Sequence, residues 1–286
     1  MSAPRTVVIT GANSGVGFET AVALASLGDR VLICCRNRAK GEAALAEIGR
    51  RSGSTTTELV DLDLADFASI RAAAATLADV APTIDVLINN AGLILTQRST
   101  TAQGFETTFG VNHLGHFLLT SLLEDQVRGA AEPRIINVSS VAHHGAIGGL
   151  RFDDLSGERS RYLGWLTYAR SKLANIHYTQ ELARRWPDVA VNALHPGSVS
   201  SGFAQDGDTH GFSALLMKGA PLVSIDAAAG AVTSVFLATA DEGRRITGRY
   251  WAKRKIGHVS RQARNRESDE RLWAISEQLV AAHPAT

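Results

Sequence analysis

Cysteine is nearly missing from this chain of 286 residues, and the two it has, Cys34 and Cys35, are neighbours. Adjacent residues reach disulfide geometry only with strain, so no disulfide framework is expected and both read as thiols of a reducing compartment. Also missing is any apolar run near the roughly 18 residues that a membrane-crossing helix needs, and the first five residues carry no apolar signal core. A cytoplasmic protein without a membrane segment is the expectation. Neither sign of charge dominates, with 29 Lys and Arg against 28 Asp and Glu. That balance gives no electrostatic reason to bind nucleic acid or an anionic bilayer, and a small molecule is the expected partner.

Several catalytic signatures are missing too. There is no Gly-x-Ser-x-Gly elbow of a serine hydrolase and no Gly-x-x-x-x-Gly-Lys loop of an NTPase. His113, His116, His143 and His144 are accompanied by neither His-Glu-x-x-His spacing nor paired cysteines, so no metal is expected. The first two are expected to pack along their helix and the second two to border a substrate cleft. Asn137-Val138-Ser139 has the form of a glycosylation site, but it falls in an apolar strand where no sugar would fit. No linker, low-complexity tract or fixed-period repeat divides the chain, so residues 1–286 read as one domain.

What is present is alternation. Short apolar runs at Thr6 to Ile9, Val31 to Cys35, Thr57 to Val60, Val86 to Ile88, Arg134 to Val138 and Val189 to Leu194 have strand length and bounding turn residues. Between them lie helix-like stretches at Val16 to Leu27, Ala39 to Ile48, Phe67 to Ala78, Phe105 to Val127 and Tyr168 to Arg185, rich in Ala, Leu, Glu or Arg. Further helices are expected near Asp226 to Thr239 and Ser268 to Ala282, with a short strand near Tyr250. Strands apolar on both sides, alternating with helices, predict an α/β fold: a doubly wound parallel sheet with helices on both faces.

The ends of the strands carry the chemistry. Thr10-Gly11-Ala12-Asn13-Ser14-Gly15-Val16-Gly17 follows the first strand and opens the first helix, where backbone amides and the helix dipole favour a pyrophosphate. The second strand closes on Arg36-Asn37-Arg38. A carboxylate there would suit a free ribose hydroxyl, whereas Arg36 and Arg38 offer forked donors to a 2′-phosphate, so NADP(H) is expected over NAD(H). Tyr168 and Lys172 share one helical face, and an ammonium beside a phenol lowers its pKa from roughly 10 toward the range useful for proton exchange with an alcohol. The next strand ends read Asn89-Asn90-Ala91-Gly92, Ser139-Ser140 and His195-Pro196-Gly197. Because ligands of open α/β sheets bind beyond the carboxyl ends of the strands, one of the two serines is placed to hold a substrate oxygen. Adjacent strand residues point to opposite faces, so only one can.

This ordered set resembles the short-chain dehydrogenase/reductase family, a Rossmann-type fold, over nearly the whole chain. The resemblance implies a catalytic tetrad at Asn112, Ser140, Tyr168 and Lys172. Ser140 would hold the substrate oxygen and Tyr168 act as acid and base. Lys172 would lower the Tyr168 pKa and bind the nicotinamide ribose, and Asn112 would support a water relay. It also implies cofactor contacts from Gly11, Asn13, Ser14, Gly15, Val16 and Gly17, from Asp63 and Leu64 at the adenine, from Asn90, Ala91 and Gly92, and from Pro196, Gly197, Val199 and Ser201. Ser201 stands where the family has threonine. The long Ser140 to Tyr168 gap, Cys35-Arg36-Asn37 and Ser171-Lys172-Leu173-Ala174-Asn175 are similar to the retinol-dehydrogenase-like branch, whose members usually prefer NADP(H) and often carry a membrane anchor; none is expected here.

The expected activity is interconversion of a carbonyl and an alcohol with NADP(H). Reduction of an activated carbon-carbon double bond and non-catalytic sensing of NADP are the alternatives. A substrate loop is expected at about 198–222, where Phe203, Phe212, Leu215, Leu216 and Met217, with Leu163 and Trp165 upstream, would line an apolar cleft for a bulky lipophilic substrate. Family resemblance also allows a homo-oligomer through the helices holding Asn112 and Tyr168.

Overall fold

The computed structural model describes residues 4–159, 161–197 and 226–284. The expected substrate loop, with Val199 and Ser201, lies outside the described residues. Strands β1 (Thr6–Thr10), β2 (Arg30–Cys35), β3 (Glu58–Asp61), β4 (Val86–Asn89), β5 (Arg134–Val138), β6 (Ala190–His195), β7 (Tyr250–Ala252) and β8 (Lys255–Ile256) form one sheet. Its order is β3-β2-β1-β4-β5-β6-β7-β8, parallel throughout except for β8, which runs antiparallel to β7. The order reverses between β1 and β4, so a crevice opens beyond their carboxyl ends. The β7–β8 hairpin turns on Lys253 and Arg254, both at positive φ. That geometry matches the strand twist but is usually given to Asn or Gly, which is why the sequence did not announce the strand.

Each central strand buries both faces. Val7 and Ile9 of β1, with Val31, Ile33 and Ile88, face helices α1 (Gly15–Ser26), α2 (Arg38–Ser52) and α8 (Ala227–Thr239). Val8, with Leu32, Leu87 and Ile135, faces α3 (Phe67–Val80), α5 (Gly115–Leu122), α7 (Gly164–Arg185) and α10 (Arg266–Ala281). Alternation along one strand therefore feeds two cores, and each fully buried Val, Leu or Ile contributes about 1.5–3 kcal/mol. Helix α10 is also tied down through ions: Asp269, 1% exposed, receives His177 Nδ1 at 2.5 Å and Arg184 at 2.6 Å, both from α7.

The continuous helix expected over Phe105 to Val127 is instead divided. It runs as α4 (Thr107–Phe109), a π segment (Gly110–Leu114), α5 and α6 (Glu124–Arg128), with Leu123 at the break between the last two. In the π segment Gly115 N–H reaches back five residues to the Gly110 carbonyl. Close packing accompanies it, since a Cβ on Gly115 would stand 2.6 Å from the Leu64 carbonyl oxygen. Such a bulge re-aims one side chain, and here it carries Asn112. Helix α9 (Asp241–Arg245) completes the described α-helices.

Candidate active site

At the crevice the turn between β1 and α1 is held open. Gly11 and Gly15 both adopt positive φ, which turns the chain sharply beneath the helix N-terminus. Gly17 must lack a side chain, because a Cβ would fall 2.4 Å from Asn90 Nδ2 and 2.7 Å from the Gly11 carbonyl oxygen. Asn37 and Asp66 cap α2 and α3 with their side chains, but Ser14 makes no such bond at the start of α1. The first amides of α1 are thus left for an anion, and the cradle fits a dinucleotide pyrophosphate. Asn13, Ser14 and Val16 lie in this same turn. Asn90 Nδ2 bonds the Thr10 and Gly11 carbonyls, while Asn90 N–H and Ala91 N–H donate to Thr10 Oγ1. The Asn90, Ala91 and Gly92 segment therefore braces the β1–α1 turn.

Around the adenosine end the expected residues divide. Arg36 is exposed just beyond β2 and pairs with no other described residue. Arg38 is engaged, with Asp61 at 2.8 Å and Glu42 at 3.0 Å. Asp63 accepts the Ala65 N–H at 2.9 Å, and Leu64 buries its side chain in the core. At the end of β6, Gly197 N–H donates to His195 Nδ1, with Pro196 between them.

The side chains expected to handle protons converge at the carboxyl end of β5 and the first turns of α7. The Tyr168 hydroxyl faces Ser140, which lowers the phenol, but burial outweighs it and pushes the phenol up to about 12; Ser140 Oγ itself accepts the Ala142 N–H at 3.1 Å. Ser139 turns the other way, 2% exposed, and donates to the Lys172 carbonyl at 2.7 Å. Ser140 is therefore the serine that meets Tyr168. Lys172 Nζ sits 5.7 Å from the Tyr168 ring centre and donates to the Val138 carbonyl at 3.0 Å. Its burial lowers it to about 8, so at neutral pH it is mostly charged. Burial, opposed by Ser140 and not by Lys172, sets the phenol of Tyr168, which is held as an acid. Asn112 is locked by its own amide: Nδ2 donates to Leu93 O and Ser171 Oγ, each at 2.9 Å, and Oδ1 accepts Leu93 N–H at 2.8 Å.

A family model described as short chain dehydrogenase matches residues 5–151. The chain is 44% identical over 278 residues to retinol dehydrogenase 12 of Homo sapiens, a match spanning 96% of this chain and 86% of that one. The chain belongs to the short-chain dehydrogenase family. Retinol dehydrogenase 13 of Homo sapiens is 40% identical over 288 residues, covering 96% of this chain and 84% of the relative. Among solved structures, an uncharacterized protein from Mycobacterium Paratuberculosis is 35% identical with a TM-score of 0.77, covering 97% of this chain and 93% of that one. As a short-chain dehydrogenase the protein is an oxidoreductase acting on CH–OH or C=O groups, and its fold binds NAD(P)(H).

Three residues support this site in ways that the sequence did not show. His143 Nδ1 donates to the Ser140 carbonyl at 2.7 Å while its Nε2 accepts the Ser260 N–H, so it is buried behind the serine rather than bordering the cleft. Ser171 holds Asn112, and Asn175 Nδ2 shares the Val138 carbonyl with Lys172. The helical period carries a signal for the last two, since residues 168, 171, 172 and 175 fall on one stripe. Leu163 and Trp165 are each 50% exposed. Leu163 lines a cavity of about 270 Å³ with Phe109, Leu166 and Arg170, but Tyr168 is not part of its wall. No described helix is long and apolar enough to cross a membrane.

Proposed function

We propose that this protein is an NADP(H)-dependent oxidoreductase that interconverts a carbonyl and a primary or secondary alcohol on a bulky lipophilic substrate. The observation that carries the reading is the meeting of Ser140, Tyr168 and Lys172 at the carboxyl end of β5, with Lys172 Nζ 5.7 Å from the phenol ring centre. A bound nicotinamide dinucleotide supplies or accepts the hydride. Ser140 donates a hydrogen bond to the substrate oxygen, and Tyr168, protonated in the unliganded protein, gives its proton to that oxygen during reduction. Lys172 brings a positive charge that stabilises the phenolate left behind. Asn112, immobilised by Leu93 and Ser171, fixes the segment after the Asn90 turn against α7.

For the cofactor, the cradle at Gly11, Gly15 and Gly17 and the uncapped α1 favour a dinucleotide, and the unpaired Arg36 favours the 2′-phosphate form. Arg38 would have to exchange Asp61 for that phosphate, so Arg36 is the principal determinant. For the substrate, Val141 beside Ser140, Ile147, and Leu163 and Trp165 just before Tyr168 leave large apolar side chains exposed, between 49% and 76%. An apolar rim of this kind suits a lipophilic partner, and relatives are named as retinol dehydrogenases. The test is binding of NADPH and NADH to the wild type and to Arg36→Ala, followed by a carbonyl screen with the preferred form. NADPH preference that collapses in the variant, with hydrophobic aldehydes or ketones reduced faster than short polar ones, is expected. Preference for NADH, or indifference to Arg36, refutes the cofactor assignment.

A further inference from the structure

Thr10 and Asn112 belong to different halves of the site, one at the end of β1 and the other in the π segment, and a single side chain touches both. His116 is 3% exposed; its Nε2 lies 2.9 Å from Thr10 Oγ1 and its Nδ1 lies 3.3 Å from the Asn112 carbonyl oxygen. The partners fix the protons. A carbonyl only accepts, so Nδ1 carries the hydrogen, and burial lowers the imidazole to about 3, which keeps it neutral with Nε2 as an acceptor. The Thr10 hydroxyl then donates to Nε2 at 2.9 Å in preference to the Ile88 carbonyl at 3.5 Å, while its lone pairs take the N–H groups of Asn90 at 2.9 Å and Ala91 at 3.0 Å. Donors and acceptors match along one unbroken path from the 90–91 turn through Thr10 and His116 to Asn112.

Packing alone would not select histidine here, since burying an imidazole in place of a hydrocarbon is costly unless both nitrogens are partnered. His113, three residues earlier, supplies the contrast: its Nε2 meets Ser276 Oγ, but its Nδ1 is buried without a hydrogen bond, and its ring packs on Phe109 and Tyr178. His113 behaves as a packing residue and His116 as a connector.

We propose that His116 is a positioning residue that fixes the nucleotide-bracing turn at Thr10, Asn90 and Ala91 relative to the Asn112 segment, so that cofactor binding and proton transfer share one hydrogen-bonded strut. The turnover part of this inference, and NADPH as the probe, rest on the function proposed above; binding of a nicotinamide dinucleotide at the Thr10 turn does not. The experiment measures the NADPH Kd, kcat and KM of the full chain for wild type, His116→Phe, His116→Gln, Thr10→Val, the Thr10→Val/His116→Phe double variant and His113→Phe. His116→Phe is expected to raise the nucleotide Kd about tenfold and to lower kcat more than it changes substrate KM. His116→Gln, which keeps a donor and an acceptor, recovers most of the loss. The double variant is no worse than the weaker single one, and His113→Phe binds NADPH as wild type does. Should His116→Phe fail to fold, His116→Asn takes its place, since its short amide cannot bridge both partners. Wild-type Kd and kcat in His116→Phe, an equal loss in His113→Phe, or losses that multiply in the double variant would overturn the proposal. The expected Kd pattern without turnover of any carbonyl by the wild type would support the strut and refute the proposed reaction instead.

Discussion

Replacing Lys172 by Met should make the unliganded protein more stable while abolishing its activity. Lys172 is 2% exposed, and burial lowers its ammonium from the ordinary 10.5 to about 8. A shift of that size corresponds to about 3 kcal/mol of destabilisation whenever the group is charged in both folded and unfolded chains. The sign follows from proton uptake. Below the folded pKa the cost is fully present, and between the two values the unfolded chain holds the proton that the folded chain has released, so stability rises with pH across that window. Met fills a similar volume without the charge. The lost hydrogen bond to the Val138 carbonyl takes back about 1 kcal/mol, but that carbonyl keeps Asn175 Nδ2 at 3.2 Å and is not orphaned. Urea unfolding of both proteins at about pH 7 and about pH 10 should therefore show the variant ahead by about 2 kcal/mol at the lower pH, with most of that lead gone at the higher. A variant no more stable than wild type at neutral pH, or a difference that ignores pH, would refute the argument. The expected exchange of stability for activity is the mark of a residue kept for chemistry.

Gly17→Ala drives a methyl group into Asn90 and the Gly11 carbonyl, so NADPH affinity should fall at least about tenfold, with a stability loss of about 1–3 kcal/mol by thermal melting. Unchanged affinity would mean that the cradle is not where the dinucleotide sits. Ser140→Ala should lower kcat by about 10²–10³ while losing about 1 kcal/mol with its cap on the Ala142 N–H, whereas Ser139→Ala should cost about 1 kcal/mol by removing its bond to the Lys172 carbonyl and leave kcat nearly unchanged. Exchanged outcomes would reverse the two roles. Asp269→Asn breaks a buried contact between α10 and α7 and should cost about 3 kcal/mol in urea unfolding without changing the NADPH Kd; a shifted Kd would show that α10 reaches the cofactor site.

The sheet was readable because its strands are apolar on both faces and end in Gly, Asn or Ser, as β1 does at Thr10 and Gly11 and β4 at Asn89 and Asn90. Local pattern and final structure agree where burial and turn chemistry act within a few residues. They part where the deciding contact is remote. Nothing in residues 105–127 announces the π segment, whose Gly115 packs on Leu64, a residue of the β3–α3 connection. The same holds for Arg38, which looks free in sequence but meets Asp61 across the β2–β3 pair, and for His143, whose ring is held by Ser260. Tyr168 and Lys172 were legible as a helical pair, but the burial that sets their protonation depends on how deeply α7 packs, which spacing does not encode.

The most direct measurement is the fate of the hydride. NADPH carrying deuterium at the nicotinamide C4 position would be turned over with a hydrophobic enone by the wild type and by Tyr168→Phe, and the product analysed for label. Deuterium on the carbinol carbon with the wild type, and a rate lower by about 10² or more in Tyr168→Phe, is the predicted result. Label on a former carbon-carbon double bond, no label in any product, or equal transfer by the Phe variant would contradict the assignment of Tyr168 as the acid of a carbonyl reduction.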